Sequence, residues 1–340
     1  MITATVRLSR SRESFIRRDT PPLIERGLEA IPRLNNQPRA GKESGVKSAF
    51  ILGAGLGNRL RPLTSLRPKP LVPLFHRPLA EWAMLACAGL GIERFAINTH
   101  HLREAWDGFG EDFQVTFFHE PVLLETGGGL KNIEPWLGDE SVLVHNGDIF
   151  STLPLEQLIA AHEASGMPVT LALRSVGEAR HIALNPAGTR VVDIRNALGQ
   201  AAGTHVFTGI YCVNRSFLGS IPPHEKISVI PAFLELAKTG QLGAIVLDQG
   251  VWLDLGDRES YLRAHRDLAL EPAIHPEARV EDGAIIERTT IGAGAVVEAG
   301  AVIRDSVLWP SARVLGGAVL QDCIVFSGSP VGGAHQNADL

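Results

Sequence analysis

From Gly53 to Lys69 the chain reads GAGLGNRLRPLTSLRPK, directly after the apolar run Ala49-Phe50-Ile51-Leu52. Glycines at positions 53, 55 and 57 with Arg59 and Lys69 behind them suit a phosphorylated ligand. Glycine lets backbone N–H groups turn toward an anion with no side chain in the way. Arg59 adds a forked, permanently charged donor for phosphate oxygens. Lys69 stands between Pro68 and Pro70, which restrict the backbone and can aim its ammonium back at the loop. The dinucleotide fingerprint G-x-G-x-x-G fails because position 58 is Asn, and the Gly-Lys-Ser/Thr ending of a P-loop is absent. Two other stretches offer carboxylates. VLVHNGDIF runs an apolar strand into Asn146, Gly147 and Asp148, and VWLDLGDRESY sets Asp254 and Asp257 before a helix. Asp257 suits the N-cap of that helix.

These residues need a scaffold, and the apolar pattern supplies one. Strands are predicted at Ser48–Leu52, Phe95–Thr99, Val115–Phe118, Val142–His145, Val169–Leu173, Val206–Val213 and Ala244–Leu247. Helices are predicted at Pro78–Gly91, Thr126–Leu137, Leu155–Ser165, Ser228–Lys238 and Asp257–Leu268. The alternation β-α-β-α-β implies an α/β, Rossmann-like and mostly parallel sheet covered on both faces. The loop at Gly53 then lies at a strand end, where open α/β sheets bind ligands.

Near Pro272 the texture changes. Ile285, Ile291, Val297 and Ile303 recur every six residues, as do Leu308, Val314 and Leu320, with Gly and Ala between. A hexapeptide period is the mark of a left-handed parallel β-helix, here about three coils. The beat fades after Ser327, where a loose end is expected. The organisation read from the sequence is therefore an N-terminal extension over 1–47, a catalytic unit over 48–270 and a short β-helix over 273–327. The extension has ten Lys/Arg against five Asp/Glu and few apolar clusters, and is expected to be disordered.

The bulk numbers narrow the function. The net charge of −5 gives no basic field for nucleic acid or an anionic membrane. No apolar run approaches the ~20 residues of a membrane span. Cys87, Cys212 and Cys323 are odd in number and far apart, so reduced thiols and a cytoplasmic location are expected.

GAGLGNRLRPLT followed by RPKPLVPL closely resembles the signature of the sugar-1-phosphate nucleotidyltransferases, over residues 48 to about 270. Hexapeptide coils follow the catalytic unit in several members, notably the mannose-1-phosphate guanylyltransferases. The resemblance implies attack by a sugar 1-phosphate on the α-phosphorus of a nucleoside triphosphate, with pyrophosphate leaving. Carried over position by position, it makes Asp148 and Asp254 the ligands of Mg²⁺, and Arg59 and Lys69 the catalytic cations. The expected nucleotide contacts are Leu52, Gly53, Ala54, Gly55, Gly57, Asn58, Arg59, Asn146 and Gly147. Glu125, Thr126, Gly127 and Gly128 join them as a second glycine loop, whose backbone is expected to lie against the base and donate to its edge, although the stretch also reads as a helix N-terminus with a glycine-rich entrance. Gly209 and Lys226 are expected on the sugar side, although Lys226 also reads as a solvated lysine before a helix. His100 and His101 read as a packed or exposed pair, with substrate contact or metal binding as the alternative.

The two ends of the chain favour different substrates. The coil region points to a mannose-1-phosphate guanylyltransferase-like enzyme, whereas Glu125-Thr126-Gly127-Gly128-Gly129 is similar to the loop of the N-acetylmuramate-1-phosphate uridylyltransferases. A non-catalytic, nucleotide-sugar-binding regulatory subunit is the alternative from another class, and an acyltransferase activity in the coils is a third. Self-association through the coils is expected.

Overall fold

The computed structural model describes residues 45–340, so the expectation for the N-terminal extension lies outside the described residues up to position 44. The first strand, β1 (Val46–Leu52), starts before the predicted Ser48, because Val46 is buried and pairs with Ser141. Seven strands form the central sheet, and they are the seven predicted. The others are β2 (Arg94–Thr99), β3 (Gln114–His119), β4 (Ser141–Asn146), β6 (Val169–Arg174), β7 (Val206–Val213) and β8 (Leu242–Val246). Their order across the sheet is β8-β6-β7-β4-β1-β2-β3. Only β7 runs antiparallel to its neighbours. Two small strands, β5 (Ile149–Ser151) and β9 (Trp252–Asp254), pair antiparallel beside the sheet.

Both faces of the sheet are covered, which is why its strands read as continuous apolar runs. Phe50 and Val144 enter one core, whereas Ala49, Ile51 and Leu143 enter the other. The covering helices are α1 (Leu79–Ala88), α2 (Glu125–Asn132), α3 (Leu155–Ser165), α4 (Ile230–Lys238) and α5 (Arg258–Leu268). The helix predicted over Thr126–Leu137 stops at Asn132 and gives way to a 3₁₀ turn at Glu134–Trp136. Pro135 is the reason: it lacks the N–H an α-helix would need there, and its ring meets the preceding turn. Asp257 caps α5 as predicted, its side chain accepting from Ser260 N–H at 2.8 Å.

The C-terminal part is a left-handed β-helix of stacked short parallel strands. Val280, Val297, Val314 and Val331 stack in register, 17 residues apart. Inward residues follow steps of six, five and six, as in Val297, Ile303, Leu308 and Val314. The short step corrects the predicted register at one place. Ile286, not Ile285, pairs with Ile303, and Ile285 points outward at 46 % exposure. Left-handed residues make the short corner, Arg288, Asp305 and Asp322, with φ of 43°, 48° and 53°.

The loose end expected after Ser327 is also corrected. Pro330–Val331 and Ala334–Gln336 add to the coil, and Asp339 bridges to Ile324. The beat fades there because the last coil is shortened: Leu320 pairs with His335, 15 residues on, instead of 17.

The β-helix and the catalytic unit share a core. Val307, Trp309 and Ile324 pack with Leu60, Leu63, Leu74 and, from α5, Tyr261 and Leu262. Trp309 Nε1–H donates to Tyr261 Oη at 3.0 Å, and Tyr261 Oη–H donates to the Pro73 carbonyl at 2.6 Å. Arg258 bonds Asp339, Asn337 and the Asp322 carbonyl at 2.7, 2.6 and 2.6 Å.

Candidate active site

β1 ends at Leu52, flanked by parallel β2 and β4, so three strands deliver their carboxyl ends to one place. The chain leaves through Gly53, whose N–H donates to Asn98 Oδ1 at 2.8 Å. A Cβ at Gly53 would lie 2.6 Å from the Asn98 carbonyl oxygen, so the glycine is required by close approach. Gly57 has φ 61° and turns the chain into the single 3₁₀ turn Asn58–Leu60. That turn buries Leu60 in the shared core and leaves Arg59 toward solvent. Thr64 Oγ1–H donates to the Gly57 carbonyl at 2.9 Å and closes the loop from behind.

Lys69 lies in a 3₁₀ turn between its prolines and is buried at 6 % exposure. Its Nζ is 2.5 Å from Asp148 Oδ2 and 3.9 Å from Asp254 Oδ1. The β5–β9 pair explains the meeting: Asp254 sits opposite Ile149, beside Asp148. Gly147 brings the end of β4 against β1, its N–H donating to the Leu52 carbonyl at 3.0 Å. The Asp254 carboxyl is held above the usual carboxylate range, first by burial and then by the neighbouring Asp148 charge, while Lys69 and Arg59 act in the opposite sense. Arg59 folds over Gly256, where a Cβ would be 2.8 Å from Nη2.

These groups surround a cavity of about 480 Å³. Of the predicted contacts, Leu52, Ala54, Gly55, Gly57, Asn58, Arg59, Lys69, Glu125, Thr126, Asn146 and Asp148 line it. Gly53 and Gly147 stand behind this wall as packing positions, and Asp254 borders it through Lys69. Gly209 has φ 74° in an irregular part of β7 and packs against Asn146 rather than lining the cavity. Lys226 is more than half exposed, with Nζ 3.7 Å from Glu125 Oε1.

The second glycine loop opens α2, close to the helix start predicted at Thr126. Residues 125–132 are helix, and the N–H groups of Gly127 and Gly128 donate to the Ile227 carbonyl at 2.8 and 3.1 Å. These glycines admit a neighbouring segment: a Cβ at Gly128 would lie 2.3 Å from the Glu225 carbonyl oxygen. What α2 presents to the cavity is its first turn, Glu125 and Thr126, with Glu125 at φ 62°. His100 and His101 are engaged by backbone, at 2.7 Å from the Glu120 carbonyl and 3.2 Å from the Thr64 carbonyl, as a packed pair would be.

Sequence reasoning missed three residues here. Asn98 lines the cavity and bonds Gly53, Glu120 is buried behind it, and Gly256 makes room for Arg59. Gly256 had a readable signal, the glycine two positions after Asp254. Asn98, one residue before the end of β2, and Glu120, just after β3, adjoin apolar patterns that drew no attention to them.

Two carboxylates, one shared ammonium and a forked guanidinium on one cavity can hold a polyphosphate and a hard cation. No group of three or more potential metal-binding side chains gathers among the described residues. A cation here would take its remaining ligands from the bound molecule and water. Residues 48–271 match the family described as Nucleotidyl transferase. A mannose-1-phosphate guanylyltransferase of Mycobacterium tuberculosis is 31 % identical, the alignment covering 73 % of this chain and 75 % of that protein. A probable mannose-1-phosphate guanylyltransferase 2 of Arabidopsis thaliana is 29 % identical over 64 % of each chain. A UTP–glucose-1-phosphate uridylyltransferase of Synechocystis is 25 % identical over 64 % of this chain and 62 % of its own. The chain thus spans three quarters of the mycobacterial relative and a little under two thirds of the other two.

Proposed function

The chain belongs to the nucleotidyl transferase family, and on that premise we propose that it makes a nucleotide-sugar and pyrophosphate from a nucleoside triphosphate and a hexose 1-phosphate, in the manner of the mannose-1-phosphate guanylyltransferases. One observation carries the reading: Lys69 Nζ reaches Asp148 at 2.5 Å and Asp254 at 3.9 Å on a cavity that Arg59 also lines. Two polyanions must meet in this reaction, and the site concentrates the cations for it.

A phosphate oxygen of the sugar 1-phosphate attacks the α-phosphorus, and the bond from that phosphorus to the pyrophosphate oxygen breaks. The nucleophile is already an anion, so the protein positions and neutralises rather than forming a covalent intermediate. Arg59 holds the departing pyrophosphate through its paired N–H donors. Lys69 neutralises charge at the α-phosphate. Asp148 and Asp254 would hold Mg²⁺. The donor set fits such an ion: both are hard oxygen donors, gathered within 4 Å of the one Lys69 ammonium at the cavity. Bound there, Mg²⁺ supplies positive charge to the phosphate oxygens.

Pyrophosphate release from GTP with mannose 1-phosphate, with and without Mg²⁺, tests the reading. Turnover that requires the ion is expected, and its absence across all four nucleoside triphosphates and a panel of hexose 1-phosphates would overturn it. A uridylyl preference is the second reading, favoured by Glu125 on the cavity wall ahead of three glycines; faster turnover with UTP selects it. A non-catalytic subunit is disfavoured because Arg59, Lys69, Asp148 and Asp254 are all present and gathered. Self-association through the coils and a cytoplasmic location belong to this reading too. No helix among the described residues is long and apolar enough to cross a membrane. Ile285 and Val319, 46 % and 42 % exposed on one side of the β-helix, are the residues whose change to Lys should shift the sedimentation of a self-associated form.

A further inference from the structure

Glu120 follows β3 directly and is 1 % exposed, a buried carboxylate with no part in the chemistry above. Its two oxygens are both used. Oε1 accepts from Asn98 Nδ2–H at 2.7 Å, and Oε2 accepts from the Leu124 N–H at 2.9 Å. Asn98 is also buried, at 2 % exposure, and its Oδ1 accepts from the Gly53 N–H at 2.8 Å. The Gly53 partner is a backbone donor, so the amide orientation of Asn98 is determined. The chain of bonds therefore runs Gly53, Asn98, Glu120, Leu124. Gly53 opens the loop that carries Arg59. Leu124 immediately precedes Glu125 and Thr126, which line the same cavity. Gly129 leaves room for the bridge: a Cβ there would lie 2.7 Å from Asn98 Nδ2 and 3.0 Å from Glu120 Oε1.

We propose that Asn98 and Glu120 are positioning residues that clamp the glycine loop to the start of α2 and so set the width of the nucleotide end of the cavity. The proposal rests on the nucleotidyltransferase reading of this cavity. Neither residue is a catalytic residue; each acts through a backbone N–H of a loop. A buried hydrogen-bonded pair of this kind holds its two segments at one spacing, because parting them strands desolvated polar groups.

The bonding pattern dictates an unusual pair of variants. In Glu120→Gln the side-chain amide keeps one acceptor, but its NH₂ must face either the Asn98 NH₂ or the Leu124 N–H, donor against donor. In the double variant N98D/E120Q every bond returns. The carboxylate introduced at position 98 accepts from the Gly53 N–H and from the amide NH₂ introduced at position 120. The carbonyl oxygen of that same amide accepts from the Leu124 N–H. Volume and net charge match the native pair.

Steady-state kinetics would be read with GTP, or with UTP if that is the better substrate, and with the sugar 1-phosphate varied separately. E120Q is expected to raise KM for the nucleoside triphosphate at least about tenfold, the loss that one unsatisfied buried donor brings. KM for the sugar 1-phosphate and kcat should stay within about threefold of wild type. N98D/E120Q should return the nucleotide KM to within about threefold of wild type. If E120Q fails to fold, Asn98→Ala removes the Gly53 side of the clamp alone and should show the same tenfold rise. A native nucleotide KM in a folded single variant, a double variant no better than E120Q, or a loss shared equally by both substrates overturns the clamp. Wild-type protein without turnover overturns the functional reading instead, and the two failures are distinct.

Discussion

Lys69 is a cation buried beside two anions, and that placement predicts that a neutral residue there is costly. Its ammonium offsets the repulsion between Asp148 and Asp254, 2.5 and 3.9 Å away. Without it, two carboxylates share one partly desolvated site. Lys69→Met is therefore expected to lower turnover by about 100-fold or more, the scale of losing a group aimed at transition-state charge. The apo variant should also melt below wild type. Added Mg²⁺ should raise its Tm by more than it raises that of wild type, because the ion takes over the ammonium's task; equal shifts would argue against metal binding at this carboxylate pair. Asp148→Asn should abolish most activity in the same assay, and an unchanged rate would remove Asp148 from the metal site.

At the scale of elements, α2 is held by what its glycines admit. The 225–228 segment lies so close that Gly128→Ala sets a methyl 2.3 Å from the Glu225 carbonyl oxygen. That overpacking should cost about 1–3 kcal/mol in urea unfolding and weaken nucleotide binding through the displaced first turn. The β-helix has its own fixed point at the short corner. Arg288 grips Asp305 through two bonds of 2.6 Å, and Gln321 donates to it at 3.0 Å. The Arg288 bond holds the Asp305 carboxyl below the usual carboxylate range, outweighing the opposite effect of burial. A carboxyl with a depressed pKa stabilises the fold above its unfolded value of about 3.9, and that stabilisation is lost as pH falls through the folded value. Asp305→Asn should melt roughly 2–4 °C below wild type at pH 7. The gap should close below about pH 4, and a gap that persists in acid would assign the effect to shape rather than charge.

At the scale of the whole molecule, the β-helix is a wall of the catalytic unit as well as a candidate for self-association. The turn bearing Arg59 buries Leu60 in the core that Val307, Trp309 and Ile324 complete. Arg258, next to the helix cap Asp257 and two residues past Gly256, is tied to the last coil through Asp339 and Asn337. Both segments that reach the cavity from this side are thus braced by the coil. Cutting the chain after Glu271 would expose that shared core, so such a fragment is expected to be unstable and its oligomeric state uninformative. Trp309→Ala tests the brace within the full chain. It should destabilise by about 3–5 kcal/mol, the cost of emptying a large buried aromatic site. Activity should fall at temperatures where the bulk of the chain is still folded by circular dichroism. Activity and structure melting together as in wild type would show that the coil does not support the Arg59 loop.

The sequence by itself determined the seven sheet strands, the loop from Gly53 to Lys69, the two aspartates and the existence of a β-helix. Each is written locally: a strand buried on both faces must be apolar throughout, a phosphate loop must open with glycines, and a coil must repeat its inward aliphatics. Tertiary structure alone decided which groups face one another. Asp148 and Asp254 meet because β5 and β9 pair, although about a hundred residues separate them in the chain. The N–H groups of Gly127 and Gly128 bond the Ile227 carbonyl, a partner about a hundred residues away that the glycine run does not name. Ile285 looks inward by its spacing yet faces out, because the coil shortens one step to five. Asn98 and Glu120 stay silent in the pattern since a hydrogen-bond chain between distant strand ends has no period. Local sequence specifies what a segment can bury or turn; the partner that satisfies each buried polar group comes from elsewhere in the chain and is chosen only when the chain closes on itself.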